Sequence, residues 1–284
     1  MLNSLTAKYR RNTRSVEEAI RARYGTGLSQ LDVRKIREAE LDGAACEGCQ
    51  GFPCAKRTMH GVRTAIEIEC GAVRVRSRIC EYARQYSQQS AYSRNFAQAK
   101  IPPIYAGKTL ADYEIDGANK TAVGWARNTI GTGEGLYVFG EPGTGKTFLA
   151  AIIAQELLKQ GKTVIFGDVP TLLDALKSTF DGEGRLDELM RTLAEVDALI
   201  LDDLGTEQPT EWAVERLYKI INARYVTGRT TIVTSNYEPK AVADRLNKPK
   251  NGGVGVSGSR IISRLQEMCR IAAIGGSDRR LRRR

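Results

Sequence analysis

Gly140-Glu141-Pro142-Gly143-Thr144-Gly145-Lys146-Thr147 is a complete G-x-x-x-x-G-K-[ST] phosphate loop. The apolar run Leu136-Tyr137-Val138-Phe139 leads into it, and an Ala/Leu-rich stretch, Phe148 to Leu158, follows. Strand, glycine-rich loop and helix are the context the motif needs. The glycines let backbone N–H groups turn inward around phosphates, at the positive end of the following helix. Lys146 is placed to reach the β- and γ-phosphates, and the Thr147 hydroxyl to ligate Mg²⁺. The chain is therefore expected to bind a nucleoside triphosphate, with Gly140 through Phe148 as the binding stretch.

A phosphate loop needs an acidic partner for Mg²⁺ at the end of a buried strand. Ala198-Leu199-Ile200-Leu201-Asp202-Asp203-Leu204-Gly205 supplies it: four apolar residues, then two carboxylates. Asp202 is expected to hold Mg²⁺ through water, and Asp203 to orient or deprotonate the attacking water. Thr230-Thr231-Ile232-Val233-Thr234-Ser235-Asn236 reads as a strand ending on polar side chains, with Asn236 placed to sense the γ-phosphate. Gly258-Ser259-Arg260-Ile261-Ile262-Ser263-Arg264-Leu265 presents Arg260 and Arg264 at i, i+4 on one helix face. Arginine stabilises charge spread over a transferring phosphoryl group, often from a neighbouring subunit.

From residue 101 onward strands alternate with helices. Strands are expected at 135–139, 163–167, 198–201, 230–234 and 270–274, and helices at 146–160, 171–179, 186–194, 211–225 and 260–268. That alternation predicts an α/β fold with a parallel sheet between helices. Residues 7–41 are charged and helix-prone, and a cysteine-bearing segment runs from Cys46 to Cys80. The polar stretch 85–100 reads as a linker or a solvated helix. The expected division is 1–84, a small helical and zinc-binding domain; 85–100, a linker; and 101–284, the nucleotide-binding domain.

Taken in order, Gly-Glu-Pro-Gly-Thr-Gly-Lys-Thr, Leu-Asp-Asp-Leu-Gly, Thr-Ser-Asn and Ser-Arg-Ile-Ile-Ser-Arg-Leu resemble the AAA+ ATPases of the DnaC/DnaI helicase-loader and IstB transposition group. The resemblance covers about residues 97–284. It implies ATP as the nucleotide, Asn236 as sensor 1, Arg264 as an arginine finger acting in a neighbouring subunit, and Arg280 as the sensor-2 arginine. It sets Ile101-Pro102-Pro103-Ile104-Tyr105 at the start of the ATPase domain, near the adenine. It also implies single-stranded DNA contacts at Lys177, Phe180, Thr210 and Trp212, where a lysine meets phosphate and an aromatic meets a base. Two features depart from general AAA+ enzymes. Asp203 stands where they usually carry Glu, which predicts slow ATP hydrolysis, and no C-terminal helical lid is expected after the last strand.

The net charge of +10 divides unevenly. Residues 1–100 carry 18 Lys/Arg against 10 Asp/Glu, residues 101–244 carry 14 against 21, and residues 245–284 carry 11 against 2. An acidic nucleotide-binding core between basic ends suits a polyanionic partner. No apolar run is long enough to span a membrane, and residues 1–14 lack an apolar signal core, so a cytoplasmic location is expected.

In a reducing compartment Cys46-x2-Cys49-x4-Cys54 with Cys80 has zinc-site spacing. Between them Ile66 and Ile68 alternate with Glu67 and Glu69, and Val73 and Val75 with Arg74 and Arg76. A two-residue turn at Cys70-Gly71 pairs Ile68 with Val73, Glu67 with Arg74 and Ile66 with Val75. Cys70 then sits at the hairpin tip, away from the other thiols, and either Cys54 or His60 completes Cys46, Cys49 and Cys80. Zinc-bearing N-terminal domains occur in DnaI-like loaders, where they contact the replicative helicase. The expected function is ATP-dependent loading of a hexameric replicative helicase onto single-stranded DNA by a chain that self-assembles through its ATPase domains. The alternatives are an IstB-like ATPase acting with a transposase, and a nucleotide-gated DNA-binding switch with negligible turnover.

Overall fold

Ala198, Leu199, Ile200 and Leu201 are all buried. Ala198 and Ile200 join one apolar cluster, Leu199 and Leu201 another, because successive strand residues point to opposite faces. A strand covered on both faces belongs inside a layered α/β unit. The computed structural model describes residues 13–44, 46, 49, 51, 54, 61–69, 72–178, 185–206, 210–248 and 255–279. Its packing divides into two units, Met1–Ser90 and Ala91–Arg284.

In the first unit, α1 (Thr13–Tyr24) and α2 (Gln30–Ala44) precede a hairpin of β1 (Val62–Glu69) and β2 (Ala72–Ile79). Ser29 opens α2 with a reciprocal cap: its hydroxyl accepts from the Asp32 amide (3.1 Å), and its own amide donates to the Asp32 carboxylate (3.3 Å). Ile20, Leu28, Val33, Ile36 and Val73 form a small core. The hairpin register is the expected one, with Ile68 opposite Val73, Glu67 opposite Arg74 and Ile66 opposite Val75. Matching of apolar with apolar and acid with base fixed it, since a one-residue slip would turn every side chain to the wrong face. Helix α3 (Glu81–Ala99) takes in most of the stretch expected as linker or solvated helix.

In the second unit, β3 (Gly135–Phe139), β4 (Val164–Asp168), β5 (Ala198–Asp202), β6 (Thr230–Ser235) and β7 (Cys269–Ala273) form one parallel sheet in the order β4-β5-β6-β3-β7. Each lies within a residue of its expected span. Helices α4 (Lys120–Thr132) and α5 (Lys146–Lys159) cover one face. The other carries α6 (Val169–Ser178), α7 (Arg185–Glu195), α8 (Glu211–Thr227), α9 (Pro239–Leu246) and α10 (Ser257–Met268). Helices α4 and α9 were not legible beforehand. Gly124, Gly131 and several β-branched residues weaken the helical signal of α4, and α9 is a short helix without a side-chain cap; burial against the sheet overrides propensity. Among the described residues no helix is long and apolar enough to cross a membrane.

Candidate nucleotide-binding site

The sheet order sets β6 between β3 and β5, so the loop after β3 and the carboxylates after β5 open on the same edge. Two glycines of the loop are required sterically. A Cβ on Gly140 would stand 2.0 Å from the Ile274 carbonyl, and one on Gly143, whose φ is +79°, would stand 2.1 Å from the Asp278 carboxylate. Lys146 is buried at the start of α5 and donates to the carbonyls of Gly140 (2.8 Å) and Glu141 (2.9 Å). The Thr144 hydroxyl donates to the Glu141 carbonyl (2.8 Å), which closes the turn containing Pro142. Phe148 leaves the loop on the side of Tyr105, with which it stacks (centroids 5.3 Å apart, planes at 14°).

Asp202 is the centre of the polar network. Its carboxylate accepts from the hydroxyls of Thr147 (3.1 Å) and Thr234 (2.5 Å). Thr234 in turn accepts from the Asp203 amide (3.0 Å), so one buried hydroxyl fixes both carboxylate-bearing residues. Thr234 is the functional residue that sequence reading missed. Its only signal was its place among the polar residues that end β6, two positions before Asn236; full burial, which obliges the hydroxyl to find a partner, shows only in the fold. Burial pushes the Asp202 carboxyl up to about 6, helped by the charges of Asp203 and Asp168 and opposed by the two threonine hydrogen bonds. Burial likewise raises Asp203, with Lys146 opposing and Asp168 adding to the rise. Asp168 ends β4 directly beside Asp202 in the sheet register. Asp203 holds φ at +57°, an uncommon conformation for a residue with a side chain.

A threonine hydroxyl and a carboxylate 3.1 Å apart, with two further carboxylates nearby, are the all-oxygen donor set that suits Mg²⁺. Thr147 and Asp202 would hold Mg²⁺ there, and the ion would supply neutralisation of phosphate charge. The loop, the buried lysine and the start of α5 fit the triphosphate.

The other expected site residues fall in different places. Asn236 is half-buried just past β6, on the same sheet edge. Arg264 is held on α8 instead: its Nε donates to Asn222 Oδ1 (2.7 Å), and its guanidinium lies over the rings of Tyr218 (4.9 Å) and Tyr225 (5.7 Å). Lys177 pairs with Asp174 (3.7 Å) in the last turn of α6. Thr210 caps α8, its hydroxyl accepting from the Ala213 amide (3.3 Å). Lys177, Thr210 and Asp203 line one cavity of about 90 Å³. Trp212 packs on the apolar cluster below the sheet, with the Arg216 guanidinium 5.4 Å from its ring centre. Phe180, Arg280 and His60 lie outside the described residues. Arg279, next to the expected Arg280, does reach the loop: its amide donates to the Gly143 carbonyl (3.0 Å), and its guanidinium pairs with Asp116 (2.5 Å).

The expected zinc site is not shown. Cys46, Cys49, Cys54 and Cys80 are all described and half-buried, but among the described residues no three His, Cys, Asp or Glu side chains gather to hold a metal. Local hydrogen bonds engage Cys46, Cys49 and Cys80. Cys46 and Cys49 close one turn (3.1 Å), and the Cys49 thiol donates to the Gly51 carbonyl (3.5 Å). Cys80 is fixed by the hairpin base, its amide donating to Gly61 (2.8 Å), while its sulfur accepts from the Ala83 amide (3.4 Å) at the start of α3.

Comparison with known proteins agrees with this geometry. The replicative helicase loader DnaC of Escherichia coli (strain K12) is 30% identical over 149 residues, covering 50% of this chain and 61% of DnaC's own length. The replicative helicase loader DnaI of Bacillus subtilis (strain 168) is 22% identical over 262 residues, covering 89% of this chain and 84% of DnaI. A crystal structure of the DnaC helicase loader superposes with a TM-score of 0.53 at 28% identity, covering 61% of this chain and all of that one. Residues 79–284, which contain the phosphate loop and its acidic partner, match the IstB-like ATP binding proteins, and the chain belongs to that family.

Proposed function

We propose that this protein is an ATP-dependent loader that delivers a hexameric replicative helicase onto single-stranded DNA. The observation that carries the reading is the likeness to DnaI across 89% of the chain, which takes in the N-terminal unit as well as the ATPase core. In this reading Lys146 holds the β- and γ-phosphates of ATP, Thr147 and Asp202 hold Mg²⁺, and Asp203 and Asn236 orient the attacking water. Arg264 and Arg280 sense the triphosphate, Arg264 from a neighbouring subunit of an ATP-dependent assembly. Lys177, Phe180, Thr210 and Trp212 contact the DNA strand, Lys177 by charge and the aromatics by stacking. Turnover is expected to be slow because Asp203 reaches less far than a glutamate would. The zinc reading of the N-terminal unit is supported by cysteine spacing alone; stoichiometric zinc lost in Cys49→Ser is its test.

Co-purification of the tagged chain from its native cells with ATP present tests the function. A replicative helicase, recovered with the wild type and lost with Lys146→Ala, is the expected result. The second reading is favoured by the IstB-like character of the family: a transposase recovered in place of the helicase would keep the ATPase and overturn the loader.

A further inference from the structure

Tyr113 follows a short 3-10 turn, Leu110–Asp112, that is fixed by a capping box between Thr109 and Asp112. The residue is 4% exposed, and its ring packs against Phe148 (centroids 5.5 Å apart). Its hydroxyl is buried and makes no hydrogen bond among the described residues. Packing alone does not explain it, since a phenylalanine fills the same space without burying an unsatisfied polar group. The hydroxyl is aimed at the phosphate loop: a Cβ on Gly145, the residue that caps α5, would stand 3.1 Å from it. Burial pushes the phenol up to about 12, so it stays an O–H donor at neutral pH.

The position is held from both ends of the domain. Arg279 donates its amide to the Gly143 carbonyl (3.0 Å) and its guanidinium to the Glu114 carbonyl (2.8 Å) and Asp116 (2.5 Å). One residue thus ties the segment carrying Tyr113 to the loop. A buried donor without a protein acceptor, directed at the positive end of a helix, calls for an anionic oxygen.

We infer that Tyr113 is a nucleotide-binding residue whose hydroxyl donates to a phosphate oxygen of the nucleotide held in the loop. The inference rests on the ATP reading of that loop. Tyr113→Phe in the full chain tests it, because only the oxygen is removed. Titration calorimetry with ATP and with ADP is expected to show affinity lowered about tenfold, the loss of one hydrogen bond to a charged acceptor. The melting temperature without nucleotide is expected to hold or rise, because an unsatisfied group has gone. Unchanged affinity overturns the inference, and so does weaker binding accompanied by a lower melting temperature, which assigns the hydroxyl to structure. Lys146→Ala measured alongside separates the two readings. If the wild type binds nucleotide and Lys146→Ala does not, the loop reading stands whatever Tyr113→Phe does. A wild type that binds none removes the loop reading and this one together.

Discussion

Asp202 combines burial with the charge that the proposed Mg²⁺ role requires. Its carboxyl is raised from 3.8 to about 6, chiefly by burial. A carboxyl raised on folding binds its proton more tightly in the native state. Its stabilising contribution is therefore complete below about pH 4 and is lost as pH rises through about 6. Asp202→Asn, which stays neutral, is expected to make the nucleotide-free protein more stable than wild type at pH 7 by about 1–2 kcal/mol, with the gap closing at pH 4. Melting curves across that range check it; parallel curves for the two proteins would show that Asp202 is not raised. The same variant is expected to lose Mg²⁺-dependent ATP hydrolysis, because an amide is a poor ligand for a hard cation. Arg264 poses a different question at this scale, since Asn222 and two tyrosine rings already engage it within its own chain. Arg264→Ala is expected to keep ATP binding and lose stimulated turnover by about a hundredfold or more. Turnover at the wild-type rate removes the finger role.

Among the elements, α8 depends on a single buried cation. Arg224 has no exposed surface and donates to the carbonyls of Leu193 (2.9 Å), Val196 (2.8 Å) and Thr230 (2.5 Å) and to the Thr231 hydroxyl (3.0 Å). It closes the end of α7, where helix carbonyls lack partners, and joins the starts of β5 and β6 to α8. Burial lowers its guanidinium to about 9. Arg224→Leu leaves those carbonyls buried and unpaired, and the urea midpoint is expected to fall by an amount equal to more than about 3 kcal/mol. A change below about 1 kcal/mol would mean that water or other donors replace the guanidinium. Thr210 shows the same principle on a smaller scale: its hydroxyl is already committed to the first turn of α8, so a DNA contact there competes with a cap.

For the whole molecule, the distribution of charge matters more than its sum. The 245–284 segment, with 11 Lys/Arg against 2 Asp/Glu, lies beyond a core that is net acidic. If DNA is the polyanion it serves, affinity for a single strand falls with salt in proportion to the phosphates neutralised. Removing residues 281–284 deletes Arg282, Arg283 and Arg284 and keeps Arg280. The slope of log affinity against log salt is then expected to drop by about 2, at about 0.7 per arginine contact. Fluorescence anisotropy from low to moderate salt measures it, and an unchanged slope excludes the tail from the interface.

The sequence by itself determined the phosphate loop, its acidic partner, the alternation of the parallel sheet and the hairpin register. Each of these is a local matter of residue type at fixed spacing, or of a period-2 pattern that only one register satisfies. Tertiary structure alone decided the rest. Thr234 and Tyr113 become site residues only because the sheet order and the turn after Leu110 carry their hydroxyls to Asp202 and Gly145. The intrachain contacts of Arg264 with Asn222 and the α8 tyrosines, and the local hydrogen bonds of Cys49 and Cys80, likewise had no signal in the spacing of those residues. Spacing along a chain states which groups can meet; the competing hydrogen bonds, aromatic faces and backbone anchors of the folded molecule settle which of them do.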